Sequence, residues 1–560
     1  MSKLNQLRDI LVPFQYVSFD IFDTLLFRAV DKPIRIFDVV VQKLKDTSED
    51  SLIDFPRQRV IAENAARKEG WQKVLQDITL DDIYNHLTYG KDTKELLKRT
   101  ELWCEEHCVL PNSSMVELLH WCKEQGKQVI ITTDMYLPRH SIETILSRIG
   151  VSYDYLFVSG EVGLTKRTGD LFAYILDYLQ IEPQQLVHIG DDPNNDIAIP
   201  RRHGIESVQR ITPKKDHDSY LPQNQKWGLV EEHLHCLFQI SAEKGMGYTV
   251  LGPLMADFCQ WLHRVKHEEQ IERLLFVARE GWLIKQCYEH FYPEETTSTT
   301  YAWLNRNVLA KPTPLLMDYL SQLGFGHQTV GLVNNSINGT GQFLIKQQLG
   351  KNGIETKVVG LQFVKSKLCE TRLGPRSRSF IAELGKPFYY YNDFVRSCFV
   401  LEHLLFEPVG TTLRLTLNAE GAIVPENESQ RRERENVPVI DELQRQALQF
   451  IDDYRNNLNL PLRGIGAELF RSMFMMPQLN DAQLIGNLYD DDTSGDKKIG
   501  LPEKPFRWKQ IMDIDIKDVL WAEAFFRMHG VPAICIYLYH ARLKFRYYRG
   551  KLYSLWTRKN

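Results

Sequence analysis

Short apolar runs of strand type alternate with stretches of helical period along most of this chain. YVSF, VIITT and LVHIG, ending at Phe19, Thr133 and Gly190, are nearly continuous apolar runs. That is the pattern of strands covered on both faces in a parallel sheet. Between the first two runs, IRIFDVVVQKLK, FPRQRVIAENAARKEG, TLDDIYNHLTYG and TKELLKRTELWCEEH read as helices, an insertion over 33–112 in a core formed by 1–32 and 113–211. After residue 211 the pattern breaks. TPKKDHDSYLPQNQKWG is polar and aperiodic, predicting a linker over 212–229. The pattern resumes with GYTVLGPLMADFCQWLHRVK as a helix, RLLFVAREGWLIKQCYEHF as a strand–turn–helix unit, and TYAWLNRNV, TVGLVNN and KVVGLQFV as strands between helical stretches. A second α/β domain over 230–530 is the expectation, with no solenoid period and with 531–560 as a terminal segment.

The strand ends carry chemistry. Asp20 follows the first run, Thr133 ends the second, and Asp191, Asp192 and Asp196 follow the run in LVHIGDDPNND, with Lys166 in SGEVGLTKRTGDLF between them. Open α/β folds keep their sites at such carboxyl ends. A carboxylate can attack a phosphoryl group and form an aspartyl-phosphate, the role that suits Asp20. Asp191, helped by Asp192 or Asp196, supplies the hard oxygens that Mg²⁺ prefers, beside Asp20. The Thr133 hydroxyl and the Lys166 ammonium suit the non-bridging oxygens of a phosphoryl group.

With these four segments in order, residues 14–210 resemble the haloacid dehalogenase (HAD) superfamily, whose motifs run DxDx[TV], a strand ending in Ser or Thr, a Lys, and GDxxxxD. Aligning Thr24 with the motif Thr puts the nucleophile at Asp20. The phrases FDIFDTLL, DMYLP and GDDPNND resemble a large two-domain bacterial subgroup linked to surface-polysaccharide biosynthesis. The resemblance implies an α/β fold: a HAD-type Rossmann-like parallel sheet with an inserted helical cap, followed here by a second Rossmann-like domain. It also implies a Mg²⁺-dependent hydrolase acting on a phosphorylated small molecule.

One position departs from that pattern. Two residues after the nucleophile, HAD phosphatases carry a second Asp that protonates the leaving group; here it is Phe22, whose backbone carbonyl could still ligate Mg²⁺ but whose side chain moves no proton. Asp23 is the alternative proton donor if the loop turns sharply. Two further readings stay open: a leaving group that needs no acid, and a domain that binds phosphate without turnover, as a scaffold or as an auxiliary to a transferase in the second domain.

Composition narrows the rest. The chain has 560 residues, 43% of them hydrophobic and 25% charged, with a net charge of −4, which gives no whole-chain drive towards nucleic acid. No cleavable signal precedes the first motif and no run reaches the roughly 18 apolar residues of a membrane span, so a cytoplasmic protein is expected. Of the nine cysteines, Cys104 and Cys108, with His107 beside them, lack further metal ligands and read as one helix face. Arg139 and His140 read as solvated residues opening a helix.

In the second domain, LVNNSINGTGQFLIKQQLG places Asn335, Ser336, Asn338, Gly339, Thr340 and Gly341 between a strand and a helix. This is a candidate anion site that Arg279, with Glu280, could join if the two strands are neighbours. The tail HARLKFRYYRGKLYSLWTRKN interleaves Lys and Arg with aromatic residues and has no acid, which suits peripheral contact with an anionic membrane surface, nucleic acid through phosphate contacts and base stacking, or a helix packed on the second domain.

Overall fold

The apolar runs become parallel strands because neighbours cover both of their faces. The computed structural model describes residues 3–45, 52–211, 220–222, 226–241, 245–335, 337–366, 368–369, 377–429, 435–490, 497–501, 505–508, 511 and 519–557. The chain divides into two compact units, Met1–Lys244 with Tyr454–Leu460, and Gly245–Asp453 with Pro461–Asn560. The first contains β1 (Tyr16–Phe19), β2 (Leu26–Arg28), β3 (Val109–Pro111), β4 (Gln128–Thr133), β5 (Tyr155–Val158), β6 (Leu186–Gly190) and β7 (Glu206–Gln209). Five of these form one parallel sheet in the order β5-β4-β1-β6-β7, with β1 central. Ile130 and Leu186 from the sheet bury against Leu171, Phe172 and Ile175 of the crossover helix Asp170–Leu179.

The pair β2–β3 is antiparallel and forms the stem of the insertion. Beyond it stand four helices, Arg35–Leu44, Phe55–Gln72, Leu80–Asn85 and Lys91–His107. Thr79 and Asp82 form a capping box that starts the third, which satisfies two backbone donors at once. One buried ion pair ties all four together. Arg59 donates through Nε and Nη2 to Glu101, the Nη2 bond at 2.8 Å, with both side chains fully buried, and Tyr84 donates to the same carboxylate at 2.8 Å. The Arg59 guanidinium lies over the rings of Phe37 and Tyr136, 4.6 and 5.2 Å from their centroids.

The first unit reaches further along the chain than the linker expected at 212–229. The helix Leu229–Ile240 belongs to it, through Glu232, which accepts from Arg35 at 2.7 Å, and His233, whose Nδ1 bonds the Ala29 carbonyl at 2.8 Å. The expected domain start at 230 therefore falls inside the first unit, because this helix buries His233, Leu234 and Leu237. Residues 212–219 and 223–225 of the expected linker lie outside the described residues. So do residues 430–434 of the charged stretch NESQRRERENVP.

The second unit repeats the α/β principle with β8 (Arg273–Val277), β9 (Thr299–Ala302), β10 (Val330–Asn334), β11 (Val358–Gln362) and β12 (Ser377–Ser379). They form a parallel sheet in the order β12-β11-β10-β8-β9, which changes direction between β8 and β10. The tail is helical over Ala533–Thr557, with Ile536 and Tyr539 packed on Phe525 and Phe526.

Removing one partner of a buried ion pair leaves the other charge uncompensated, at a cost of about 3–5 kcal/mol. Glu101→Gln should lower the denaturant midpoint of the first unit by that order, and Arg59→Met combined with Glu101→Leu should recover part of the loss. Equal midpoints for wild type and Glu101→Gln would show that the pair does not hold the cap.

Candidate active site

Three carboxylates and one ammonium meet at the carboxyl ends of β1 and β6. Asp20 leaves β1 with its N–H on the Ile189 carbonyl at 2.9 Å, and the residue is 6% exposed. Carboxylate oxygens of Asp20, Asp191 and Asp196 lie within 4.8 Å of one another. Lys166, buried and brought in by the loop after Gly163, donates to Asp20 Oδ1 at 2.7 Å and to Asp196 Oδ1 at 2.6 Å. An ammonium has three donors, so one remains for a further oxygen.

Local sequence explains the shape of the acidic loop. Asp192 caps the turn Pro193–Ala198, accepting from the N–H groups of Asn194 and Asn195 at 2.8 Å, and this turns it out of the cluster. Asp196 comes back towards β6, where its Oδ2 accepts from the Asp191 and Asp192 N–H groups at 3.1 and 3.0 Å. A Cβ on Gly190 would stand 2.3 Å from the Asp196 Cγ, so the Gly of GDDPNND is there to let that carboxylate in.

Behind Asp196 runs a buried chain of hydrogen bonds. His188 Nε2 is 3.2 Å from Asp196 Oδ1, His188 Nδ1 is 2.8 Å from Ser18 Oγ, and Ser18 Oγ is 2.9 Å from Thr132 Oγ1. A carboxylate only accepts, so Nε2 carries the proton and Nδ1 must accept from Ser18. Ser18 then accepts from Thr132, and every member is satisfied. Burial lowers the His188 pKa, with the Asp196 hydrogen bond opposing it, in keeping with a neutral ring.

The acids respond differently to the same surroundings. Burial, opposed by Lys166 and reinforced by Asp196 and Asp191, raises Asp20 to about 7. Burial also works to raise Asp196, but His188 and Lys166 outweigh it and hold that carboxyl well below its ordinary value. Asp191 is raised by burial, then by Asp23 and Asp196. Lys166 stays charged, since Asp20 and Asp196 outweigh its burial. With all four ionised, the group keeps two uncompensated negative charges, and hard oxygens around such a deficit fit a divalent cation.

Thr133 stands buried at the end of β4, and Asp134 beside it accepts from the Lys166 N–H at 2.8 Å, pinning the lysine's loop. Phe22 is 9% exposed, and the Arg28 guanidinium lies 4.0 Å from its ring centroid. Asp23 is exposed in a left-handed conformation, φ +58°, so the loop does turn sharply, and its charge reaches both Asp191 and Arg28.

A cleft of about 460 Å³ lies beside these residues, lined from the insertion by apolar Ile34, Phe37 and Trp71 together with charged Glu63 and Arg67, and from the core by Asp134 and Arg167. Cap residues grip the loop that carries Lys166: Gln76 Oε1 accepts from the Thr165 N–H at 3.0 Å, and Ser159 donates to Asp77 at 2.5 Å.

Residues 14–204 match the family model of the haloacid dehalogenase-like hydrolases. The first unit has that fold and that homology. Haloacid dehalogenase-like hydrolase domain-containing protein 3 of Xenopus laevis is 26% identical over 177 residues, 31% of this chain and 67% of the relative. Among solved structures, a HAD phosphatase from Thermococcus onnurineus is 18% identical, with 37% of this chain and 89% of that one covered at a TM-score of 0.26. The L-2-haloacid dehalogenase of Xanthobacter autotrophicus is 9% identical, with 36% and 79% covered at 0.27.

The other residues singled out from sequence sit elsewhere. Arg139 is held at the surface by Glu161 at 2.8 Å, and His107 stacks on Trp103 with centroids 4.0 Å apart. Cys104 and Cys108 are buried. In the second unit β8 and β10 are neighbours, which sets Arg279 and the Asn335–Gly341 turn at adjacent strand ends. Gly339 has φ +61° and precedes the helix Thr340–Lys351, Asn338 accepts from Ser366 at 2.8 Å, Arg279 donates to the Val409 carbonyl at 3.3 Å, and Ser336 lies outside the described residues. Ser18, Thr132, Asp134 and His188 were not found from sequence. Their signal was a polar residue inside, or at the end of, an apolar strand.

Asp20 yields a pH prediction. Its folded pKa near 7 exceeds the ordinary 3.8, so its favourable contribution to stability is complete below about 3.8 and is lost as pH rises through 7. In metal-free protein, Asp20→Asn should therefore gain thermal midpoint relative to wild type between pH 5 and pH 8. A difference between the two proteins that does not change with pH would mean Asp20 is not held in this state.

Proposed function

We propose that the first unit is a Mg²⁺-dependent phosphoryl-transfer enzyme, a phosphatase of a phosphorylated sugar or related metabolite. The observation that carries the reading is Lys166 bridging Asp20 and Asp196 while Asp191 completes the acidic group. Asp20, Asp191 and Asp196 would hold the cation, with the Phe22 carbonyl as a further oxygen. When bound, the cation screens the nucleophile from an anionic substrate. Asp20 attacks phosphorus as the bond to the leaving oxygen breaks, and water then hydrolyses the aspartyl-phosphate and frees the carboxylate. Lys166 places its third donor, and Thr133 its hydroxyl, on the non-bridging oxygens.

The cleft favours a sugar-like body. Its lining mixes the apolar Ile34, Phe37 and Trp71 with the charged Glu63, Arg67 and Arg167, a combination that suits a small polar metabolite with some apolar surface, as a sugar ring has. A link to surface polysaccharide would follow from the resemblance of FDIFDTLL, DMYLP and GDDPNND alone. A phospho-ligand binding module is the second reading, favoured by one observation: the position two residues after Asp20 that would carry an acid is Phe22, covered by Arg28.

The two readings separate on leaving groups. Wild type should hydrolyse p-nitrophenyl or acyl phosphates with Mg²⁺ and not with EDTA, and Asp20→Asn should abolish this while leaving the fold intact. If Asp23 carries the proton, Asp23→Asn should slow alkyl phosphates by about 10²–10⁴-fold and activated esters far less. Inertness of wild type on every activated ester would leave the binding module.

We further infer a peripheral contact of the C-terminal helix with anionic membrane. Among the described residues no helix is long and apolar enough to cross a membrane. Opposite its packed face, however, the Ala533–Thr557 helix exposes Ile534, Leu538, Phe545 and Tyr548 in one stripe beside Arg542 and Arg546. The full chain should co-sediment with phosphatidylserine vesicles, and Leu538→Glu with Phe545→Glu should release it; equal sedimentation of the variant would remove the contact.

A further inference from the structure

A second cluster of metal-ligating side chains lies in the other unit, away from any residue used above. His263 and His267 are one turn apart on the helix Gly252–Glu268, and Glu295 belongs to the turn Pro293–Ser298 that leads into β9. Each offers a ligand atom, and the three atoms lie within 4.8 Å of one another. Spacing of four places both imidazoles on one face of a helix.

The carboxylate is oriented by what holds its other oxygen. Glu295 Oε2 is ion-paired with Lys266 and accepts from Ser298 Oγ at 3.1 Å, and Lys266 itself donates to Ser298 Oγ at 2.9 Å. Those contacts leave Oε1 facing the imidazoles, 3.7 Å from His263 Nδ1 and 3.8 Å from His267 Nε2. Both separations are too long for a hydrogen bond. They are also close to the gap between two ligands of one tetrahedral ion, about 3.3–3.4 Å for metal–ligand bonds near 2.0–2.1 Å. His263 is fixed in its plane by stacking on Tyr292, with centroids 4.0 Å apart and planes 9° from parallel. The Tyr288 hydroxyl makes a long hydrogen bond of 3.5 Å to His263 Nδ1, a weak contact that an ion on that nitrogen would displace.

We propose that His263, His267 and Glu295 form a Zn²⁺ site that clips the helix Gly252–Glu268 to the turn preceding β9. Two imidazoles and one carboxylate are donors that zinc accepts, with a fourth position left for water. Lys266 and Ser298 act as the outer shell that aims the carboxylate, as hydrogen-bonded partners do in metal sites generally. The ammonium beside Glu295 also removes part of the charge that attracts a cation, so affinity is micromolar rather than nanomolar. Placement assigns the role. The helix ends at Glu268 just before β8 begins at Arg273, and Ser298 immediately precedes β9 at Thr299, so the cluster sits at the amino ends of an adjacent strand pair. Sites of open α/β sheets lie at the opposite, carboxyl ends. The ion therefore stabilises the entry of the edge strand β9 and does not serve a reaction.

The experiment is a zinc titration of the full, tag-free chain by calorimetry, with Mg²⁺ in excess to occupy the acidic group of the first unit, accompanied by thermal melts. Wild type should bind one equivalent at micromolar Kd, and its melting midpoint should rise on adding zinc. His267→Ala, an exposed position that leaves the fold intact, should weaken binding at least tenfold and abolish the rise, and Glu295→Gln should do the same. Asp191→Asn should bind zinc as wild type does, which separates this site from the acidic group. Zinc binding unchanged in His267→Ala overturns the site, as does the absence of binding below on the order of 100 µM. Tight binding without any rise in the midpoint would refute the clip.

Discussion

A buried ammonium shared between two carboxylates is the constraint on which the first unit's site depends. Lys166 reaches Asp20 at 2.7 Å and Asp196 at 2.6 Å in a region from which water is nearly excluded. Desolvating each ion costs several kcal/mol, and mutual attraction offsets that only where geometry is good. The surrounding structure is what keeps it good. The parallel register brings Ser18 level with His188, Gly190 leaves room for Asp196, and Asp134 pins the loop of Lys166. Asp20 is buried deeply enough that burial, reinforced by Asp196 and Asp191, outweighs its ion pair with Lys166 and raises it to about 7. A group arranged for stability alone would not leave a carboxylate in that condition.

Much of this was legible in the sequence, for a physical reason. Strands buried on both faces must be apolar throughout, so YVSF, VIITT and LVHIG announce themselves, and a parallel sheet brings the residues just past each run to one edge. Asp20, Thr133 and the acidic loop could be placed by that argument before any contact was known. His188 and Ser18 could not. Each is a single polar residue in an apolar run, and its meaning depends on which strand lies beside it, a fact of register that one chain segment does not contain. Asp192 and Asp196 were likewise indistinguishable in GDDPNND, because the turn that separates them is set by capping at Asn194 and Asn195.

The boundary between units shows the same limit. A polar, aperiodic stretch reads as a linker, yet the helix after it returns to the first unit through Glu232 and His233. Polarity reports exposure of a segment, not which core its successor joins. The histidines of the second unit teach a related lesson. His263 and His267 look like ordinary residues of an amphipathic helix until Glu295, from a turn beyond the next helix, is set against them. Spacing within one helix shows that two ligands share a face; only tertiary contact supplies the third.

Under the proposed phosphoryl-transfer reading, Phe22 and Arg28 together change what the first unit could do with a leaving group. An aspartic acid there would deliver a proton, and Phe22 cannot, but Arg28 sits on its ring and lines the same cleft. Burial works to lower the Arg28 pKa and Glu105 outweighs it, so the guanidinium remains charged. A fixed cation stabilises charge that develops on a departing oxygen without transferring a proton. That help is worth most where the oxygen bears charge well, as in an acyl or anomeric phosphate, and least for a simple alkoxide. A second step in which water attacked an aspartyl-phosphate would still benefit from a base. Asp23, exposed with a left-handed backbone, is the next carboxylate along this loop, and its charge acts on Asp191, so it is the candidate for that base. On that reading the residue at 22 would leave charge stabilisation to Arg28 and proton transfer to Asp23, and would favour substrates whose leaving oxygen departs readily as an anion.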